Sequence, residues 1–259
     1  MRRRSFVSDY WILGLTLLFI GWFLWRMTSH ESMGWYVINP STPQGAINMQ
    51  FLLGGLWITI GISIIAMVLS IAIGLLAALM NMSTNPGARM VARGYIELFR
   101  AIPLLVMLIW VYYGLPALLD IRLDPFAATV IALVLCESPF QAEIFRAGIQ
   151  SIARGQHEAA EAVGLSYADK MWFIILPQAL RRVLPPLANQ FVYILKMSAL
   201  ASVIGLDELV RRANDINNNE YRPLEIYSFL VIEYLLLVLA VSWAVRRLEK
   251  KMGSDESGR

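Results

Sequence analysis

Four ionisable residues lie inside long apolar segments, where a charge is costly unless a partner compensates it. They are Glu137, Glu143, Lys196 and Glu233. Glu137 is near the middle of its segment, and either an ion pair with Lys196 or contact with a bound substrate would account for it. Glu143 lies near the predicted inner end of its segment. Glu137, Lys196 and Glu233 are therefore the candidate substrate-binding residues.

The other reactive side chains do not form a catalytic arrangement. The two histidines, His30 and His157, are far apart in the sequence, and no nucleophile is paired with a base in a motif. The single cysteine, Cys136, lies in an apolar run and indicates neither a disulfide framework nor a zinc site. No GxxxxGK[ST] phosphate loop occurs. We predict no enzyme activity, no cofactor and no metal.

The composition is that of a membrane protein. Of 259 residues, 58% are hydrophobic and only 16% are charged, whereas soluble domains carry about 25% charged residues. A spanning helix needs about 20 mainly apolar residues. The sequence predicts an all-α integral membrane protein with about six spans: Tyr10–Trp25, Phe51–Met80, Ala101–Leu119, Phe126–Arg146, Leu184–Ile204 and Ile226–Val245.

The basic residues predict the orientation of these spans. With both termini on the cytoplasmic side, sixteen of the 22 lysines and arginines fall on inner segments and five on outer ones. Positive residues are retained on the cytoplasmic side. The net charge of +3 is therefore interpreted as a topology signal, and we expect no nucleic-acid partner.

Two polar segments separate the spans. The outer one, Gly205–Glu225, contains an asparagine run that is typical of a loop. The inner one, residues 148–183, predicts two short helices. Gly164 would end the first in a left-handed conformation, Ser166 would cap the second, and Pro177 would end it. The first helix has small side chains and a polar face, so it either packs on its own spans or docks a partner.

A spaced motif in this inner segment resembles a known family. Glu158-Ala159-Ala160 is followed after three residues by Gly164, then by Ile174 and Leu176-Pro177. This pattern is similar to the EAA signature of the permease subunits of bacterial ABC importers. Three stretches around or including this motif look like the polar amino-acid permeases of the histidine/glutamine type: GYIELFRAIPLLVMLIW, AEIFRAGIQSIARGQHEAAEAVGLS and ILPQALRRVLPPLANQFVYILK.

The resemblance implies a role for the inner helix and a set of partners. The helix would be a coupling helix that docks in a separate ATPase subunit, through Arg154, Glu158, Ala159, Ala160 and Gly164. The expected partners are two ATPase subunits, a second permease subunit, identical or related, a periplasmic solute-binding protein and membrane lipid. The expected cargo is a polar amino acid, with cationic or neutral types favoured, moved across the bacterial inner membrane.

The expected domain organisation follows from the same resemblance. Residues 1–50 would form an additional anchor span and a periplasmic connector. Residues 51–247 would form the importer domain with a five-helix core, and residues 248–259 a cytoplasmic tail. Two other classes of protein remain as alternatives: a secondary transporter or channel using Glu137 and Lys196 as an ion relay, and a membrane scaffold that docks a cytoplasmic partner.

Overall fold

The described part of the chain is helical, and no strand occurs within it. The computed structural model describes residues 34–253 continuously, together with positions 14, 15, 17, 18, 21, 22 and 25. The predicted span Tyr10–Trp25 therefore falls largely outside the described residues. Within them, the all-α prediction is confirmed.

Within residues 34–253, eight helices follow a short 3-10 turn at Trp35–Ile38. In chain order they are α1 (Pro43–Met82), α2 (Pro86–Ala101), α3 (Leu104–Leu119), α4 (Pro125–Gln150), α5 (Arg154–Ala162), α6 (Tyr167–Ile204), α7 (Leu209–Glu220) and α8 (Pro223–Gly253).

Four of these helices are long and apolar enough to cross a membrane: α1, α4, α6 and α8. A fifth crossing is counted if the bent pair of α2 and α3 acts as one span. The most apolar stretch of α4 is 72% buried, whereas that of α8 is only 6% buried. Helix α4 is therefore the centre of the described bundle, and α8 is at its periphery with apolar side chains directed outward.

Helix α1 packs closely against α4. It begins at Pro43, earlier than the predicted Phe51, because Thr42 caps it by accepting a hydrogen bond from the N–H of Gly45. A Cβ atom on Gly74 would lie 2.8 Å from the carbonyl oxygen of Ser138. At this close contact α1 lies against Ser138, the residue that follows Glu137 on α4.

The predicted break at Pro177 is wrong. Helix α6 runs continuously through it, because the residues just before it, Lys170–Ile175, form a π-helical turn. The N–H of Leu176 donates to the carbonyl of Met171, five residues back. The wider turn accommodates a proline, which has no N–H and needs room for its ring. The span predicted at Leu184–Ile204 is thus the outer part of a longer helix.

The outer segment is also more ordered than the predicted loop. It forms helix α7, whose first turn is capped by the side chain of Glu208 through the N–H of Arg211. Leu209, Ala213 and Ile216 are buried at helical spacing. Burial of this stripe outweighs the low helix propensity of the asparagines that follow.

Candidate functional site

The first inner helix forms as predicted, at Arg154–Ala162. Ala160 is buried, at 3% exposure, and positions α5 against the inner end of α6. Arg154, Glu158 and Ala159 are exposed, as is Val163 just beyond the helix. Most of the small-residue surface of α5 is thus open in this chain, which supports docking of a partner more than packing on its own spans.

Gly164 ends α5 in the left-handed conformation that the sequence predicts, with φ at +78°. The N–H of Leu165 donates to the carbonyl of Ala160 at 3.1 Å, and the N–H of Gly164 donates to that of Glu161 at 3.0 Å. These two hydrogen bonds satisfy carbonyls at the helix end. Gly164 fixes the angle between α5 and the chain that follows.

The start of α6 is tied to α5 by side chains. Ser166 caps α6 as predicted, since its Oγ accepts from the N–H of Asp169 at 3.2 Å. Lys170, which is buried, donates from Nζ to Oε1 of Glu161 at 2.6 Å. This contact lowers the pKa of the Glu161 carboxyl, first through the hydrogen bond and then through the charge of Lys170. The pair joins the exposed helix to the π-helical turn.

The inner half of α6 is packed tightly on α4. A Cβ atom on Gly148 would lie 2.2 Å from Cγ2 of Val183. Arg182 donates from Nη1 to the carbonyl of Ser151 at 2.6 Å. A displacement of α5 would therefore be passed to both α4 and α6.

A polar cluster lies between these two helices within the bundle. Glu137 on α4 has 2% exposure and accepts a hydrogen bond from Nε2 of Gln190 on α6. One turn further along α4, Gln141 is fully buried, and its Oε1 has no hydrogen-bond partner among the described residues. Its Nε2 contacts Sδ of Met67 at 3.4 Å. The cluster offers a carboxylate and an unused acceptor inside an apolar bundle.

The ion pair with Lys196, one of the two predicted explanations for Glu137, does not form in the described part of the chain. Lys196 is exposed near the outer end of α6, while Gln190 takes the position beside Glu137. Glu233 lies on α8, and its buried Oε2 meets no hydrogen-bond partner in the part of the chain that the structure describes. No hydrogen bond or ion pair joins any two of these three predicted residues as described.

Sequence reasoning missed Gln141 and Gln190. Both are uncharged polar residues in apolar helices, so a search for charged residues alone overlooks them. Gln190 lies in the stretch LPPLANQFVYILK, where a polar residue among apolar ones could have indicated it. The pairing of Gln190 with Glu137 depends on how α4 and α6 pack. The fully buried Glu208 was also missed, because the segment around it was assigned to a loop.

Comparison with known proteins finds relatives over most of the chain. Residues 70–254 match the family described as "Binding-protein-dependent transport system inner membrane component". The glutamine transport system permease protein GlnP of Escherichia coli is 37% identical over 219 residues, which covers 84% of this chain and 97% of that protein. The arginine transport system permease protein ArtQ of Bacillus subtilis is 36% identical over 208 residues, covering 80% and 95%.

Solved structures give the same picture. A chain of an amino acid ABC transporter crystallised with histidines has a TM-score of 0.76 and 36% identity, covering 80% of this chain and 96% of that one. The inward-facing MetNI methionine ABC transporter has a TM-score of 0.67 at 19% identity, covering 79% and 97%. At that identity the second likeness concerns the fold alone.

Proposed function

We propose a specific transport role for this chain, which belongs to the family of binding-protein-dependent transport system inner membrane components. It is a permease subunit of an ABC importer of polar amino acids and not an enzyme. The observation that carries the proposed role is the EAA helix and its Gly164 turn, exposed at the end of two helices that hold a buried polar cluster. ATP hydrolysis takes place on a separate subunit.

The proposed assembly contains two ATPase subunits, a second permease subunit, identical or related, and a periplasmic solute-binding protein. Helix α5 docks in the ATPase through the exposed Arg154, Glu158 and Ala159. Ala160 faces inward and holds the helix in place. Gly164 sets its angle. Closure of the ATPase dimer on ATP moves α5, and the Glu161–Lys170 contact passes the movement to α6.

The proposed cargo is a cationic or neutral polar amino acid. Gln190 is neutral, so its hydrogen bond to Glu137 supplies no positive charge to a buried carboxyl group that would need one to stay ionised. Since Lys196 is not the partner, an amino acid with a cationic group fits this site well. Glu233 and Lys196 are further candidates for substrate contact. Measuring amino-acid uptake by the Glu233→Gln and Lys196→Gln variants separately shows which of the two contributes.

The proposed location is the bacterial inner membrane, with several spans and both termini cytoplasmic. Tyr221 supplies a test site, because it is exposed between α7 and α8 on the predicted outer side. A reporter that is active only in the periplasm should be active when fused after Tyr221 and silent after Gly253. The opposite result would mean that the orientation indicated by the basic residues is reversed.

Reconstitution tests the function as a whole. The chain is assembled with its ATPase in proteoliposomes, and uptake of labelled arginine and glutamine is measured with the cognate binding protein outside. We expect uptake that needs internal ATP and the binding protein. Uptake that follows an ion gradient without ATP would instead support a secondary transporter, and assembly without any uptake would support a scaffold.

A further inference from the structure

Helix α2 presents three distinct faces. Ala92 and Ile96 are buried, and Tyr95 beside them bonds Oγ of Ser138 on α4 at 2.6 Å. A second face carries Arg89, Arg93, Glu97 and Arg100. The third is apolar and exposed, with Met90 at 72%, Val91 at 59% and Leu98 at 58% exposure. A basic face beside an exposed apolar face is typical of a helix that lies at a membrane surface.

The angle between α2 and α3 agrees with this placement. The two helices meet at 100°, so α2 runs nearly parallel to the membrane plane if α3 runs along its normal. Its charged residues would also be costly inside the hydrocarbon region. In the proposed orientation, α2 therefore lies at the surface of the cytoplasmic leaflet.

The basic face of α2 borders a cavity of about 570 Å³. The ends of α1 and α4 complete its wall, and its polar lining includes Asn81, Arg89, Arg93, Arg100, Glu143 and Arg146. Arg146 is neutralised by Glu143 at 2.6 Å. Only Glu97 remains among the lining residues to balance the three arginines of α2, so the cavity is cationic.

The three arginines of α2 have neutral partners in the described chain. Arg89 donates to the carbonyl of Ser83 at 2.8 Å, and Arg93 donates to Oδ1 of Asn81 at 3.3 Å. Arg100 stacks over the ring of Phe140, 5.3 Å from its centroid. A guanidinium group can donate two parallel hydrogen bonds to a phosphate, and it binds this charged acceptor more strongly than a neutral one. The cavity therefore combines a phosphate-binding chemistry with an apolar flank.

We propose that this cavity binds the phosphate of an anionic phospholipid of the cytoplasmic leaflet, with the acyl chains against Met90, Val91 and Leu98. Free phosphate shares the chemistry of the headgroup but has nothing to place on the apolar flank. Basic pockets between helices on the cytoplasmic side are suited to anionic headgroups. The inference depends on the proposed orientation and not on the proposed cargo.

The test is a lipid titration of the assembled complex. The full chain with its ATPase is stripped of lipid, titrated with phosphatidylglycerol or phosphatidylcholine, and analysed by native mass spectrometry. We expect a saturable preference for phosphatidylglycerol. Arg89→Gln combined with Arg93→Gln should weaken that binding about 25-fold, from the usual contribution of each arginine near an anionic surface. If the double variant does not assemble, Arg93→Gln alone, at an exposed position, should weaken it about fivefold.

The matched control is Arg246→Gln combined with Arg247→Gln. It removes the same charge from exposed positions near the cytoplasmic end of α8, and it should leave phosphatidylglycerol binding unchanged. Equal weakening in the control would indicate diffuse surface charge and overturn the proposal. Equal binding of the two lipids would overturn it as well. Full displacement of phosphatidylglycerol by an excess of inorganic phosphate would overturn the lipid assignment and leave an anion site.

Discussion

Nζ of Lys170 lies 2.6 Å from Oε1 of Glu161, which joins the exposed helix α5 to the π-helical turn of α6. The side chain of Lys170 is largely buried, while that of Glu161 is mostly exposed. Removing Glu161 would therefore leave a nearly buried ammonium group without its carboxylate. The contact is local, yet it lies on the path by which α5 acts on the membrane helices.

We expect Glu161→Gln to reduce ATP hydrolysis stimulated by the binding protein, because α5 would be held to α6 less firmly. The reversed pair, Glu161→Lys with Lys170→Glu, should recover part of it, since the attraction is restored with opposite polarity. Stimulated hydrolysis and retention of the ATPase on affinity purification are the measurements. A reversed pair that is no better than either single change would argue against the contact.

The Gly164 turn supplies a second test of coupling. A Cβ atom there meets no heavy atom within 4 Å, so Gly164→Ala adds only the strain of a left-handed residue at φ +78°, roughly 1–2 kcal/mol. We expect the chain to insert normally but to lose its ATPase and its stimulated hydrolysis, because the angle of α5 changes.

Gly205→Ala is the matched control for that strain. Gly205 has φ at +83° and also has open space around it, but it lies at the outer end of α6. The Gly205→Ala variant should lose thermal stability by an amount similar to Gly164→Ala, but it should keep the ATPase bound. If both variants lose the ATPase, general destabilisation rather than the angle of α5 is responsible.

The turn at Gly164 could be predicted because its cause is local. In most contexts a glycine after a helix favours the left-handed conformation, and a serine three residues before an aspartate favours the N-cap position. The break at Pro177 was predicted by a local rule as well, but a π-helical turn that includes Met171 removes the conflict. That turn is not encoded by any simple spacing.

The remaining errors come from packing between distant segments. Helix α7 was assigned to a loop because its asparagines disfavour a helix, whereas burial of Leu209 and Ile216 decides its structure. Likewise the sequence offered Lys196 or a substrate as the partner of Glu137, whereas the packing of α4 on α6 brings Gln190 to it. Such contacts depend on how the helices pack in the folded bundle, and local sequence patterns do not predict that packing.

Glu208 should make the stability of the outer segment depend on pH. Burial raises the pKa of its carboxyl from 4.5 to about 7, although hydrogen bonds from backbone N–H groups and from Tyr234 oppose this. A raised pKa means that the folded chain holds the proton more tightly. Its contribution to stability is therefore complete below about pH 4.5 and is lost as the pH rises to about 7.

The expected result is a lower melting temperature of the purified chain at pH 7.5 than at pH 5, and a smaller difference in Glu208→Gln. Glu220→Gln is the control, since Glu220 ends the same helix and is partly exposed. It should keep the pH dependence of the unchanged protein. If the Glu208→Gln chain keeps the full difference in melting temperature between pH 5 and pH 7.5, other groups cause the pH dependence.

The substrate preference depends on Glu137, whose buried carboxylate receives a hydrogen bond only from the neutral Gln190 among the described side chains. Glu137→Gln keeps the shape and removes the charge, so it should raise the KM for a cationic amino acid and spare ATP hydrolysis stimulated by the loaded binding protein. Glu143→Gln is the control, because Glu143 lies on the same helix but is paired with Arg146; it should leave the KM unchanged. Uptake of arginine and of glutamine is measured in parallel. If the KM for arginine is the same with and without the Glu137 charge, Glu137 does not contact the substrate, and the preference for a cationic cargo loses its support.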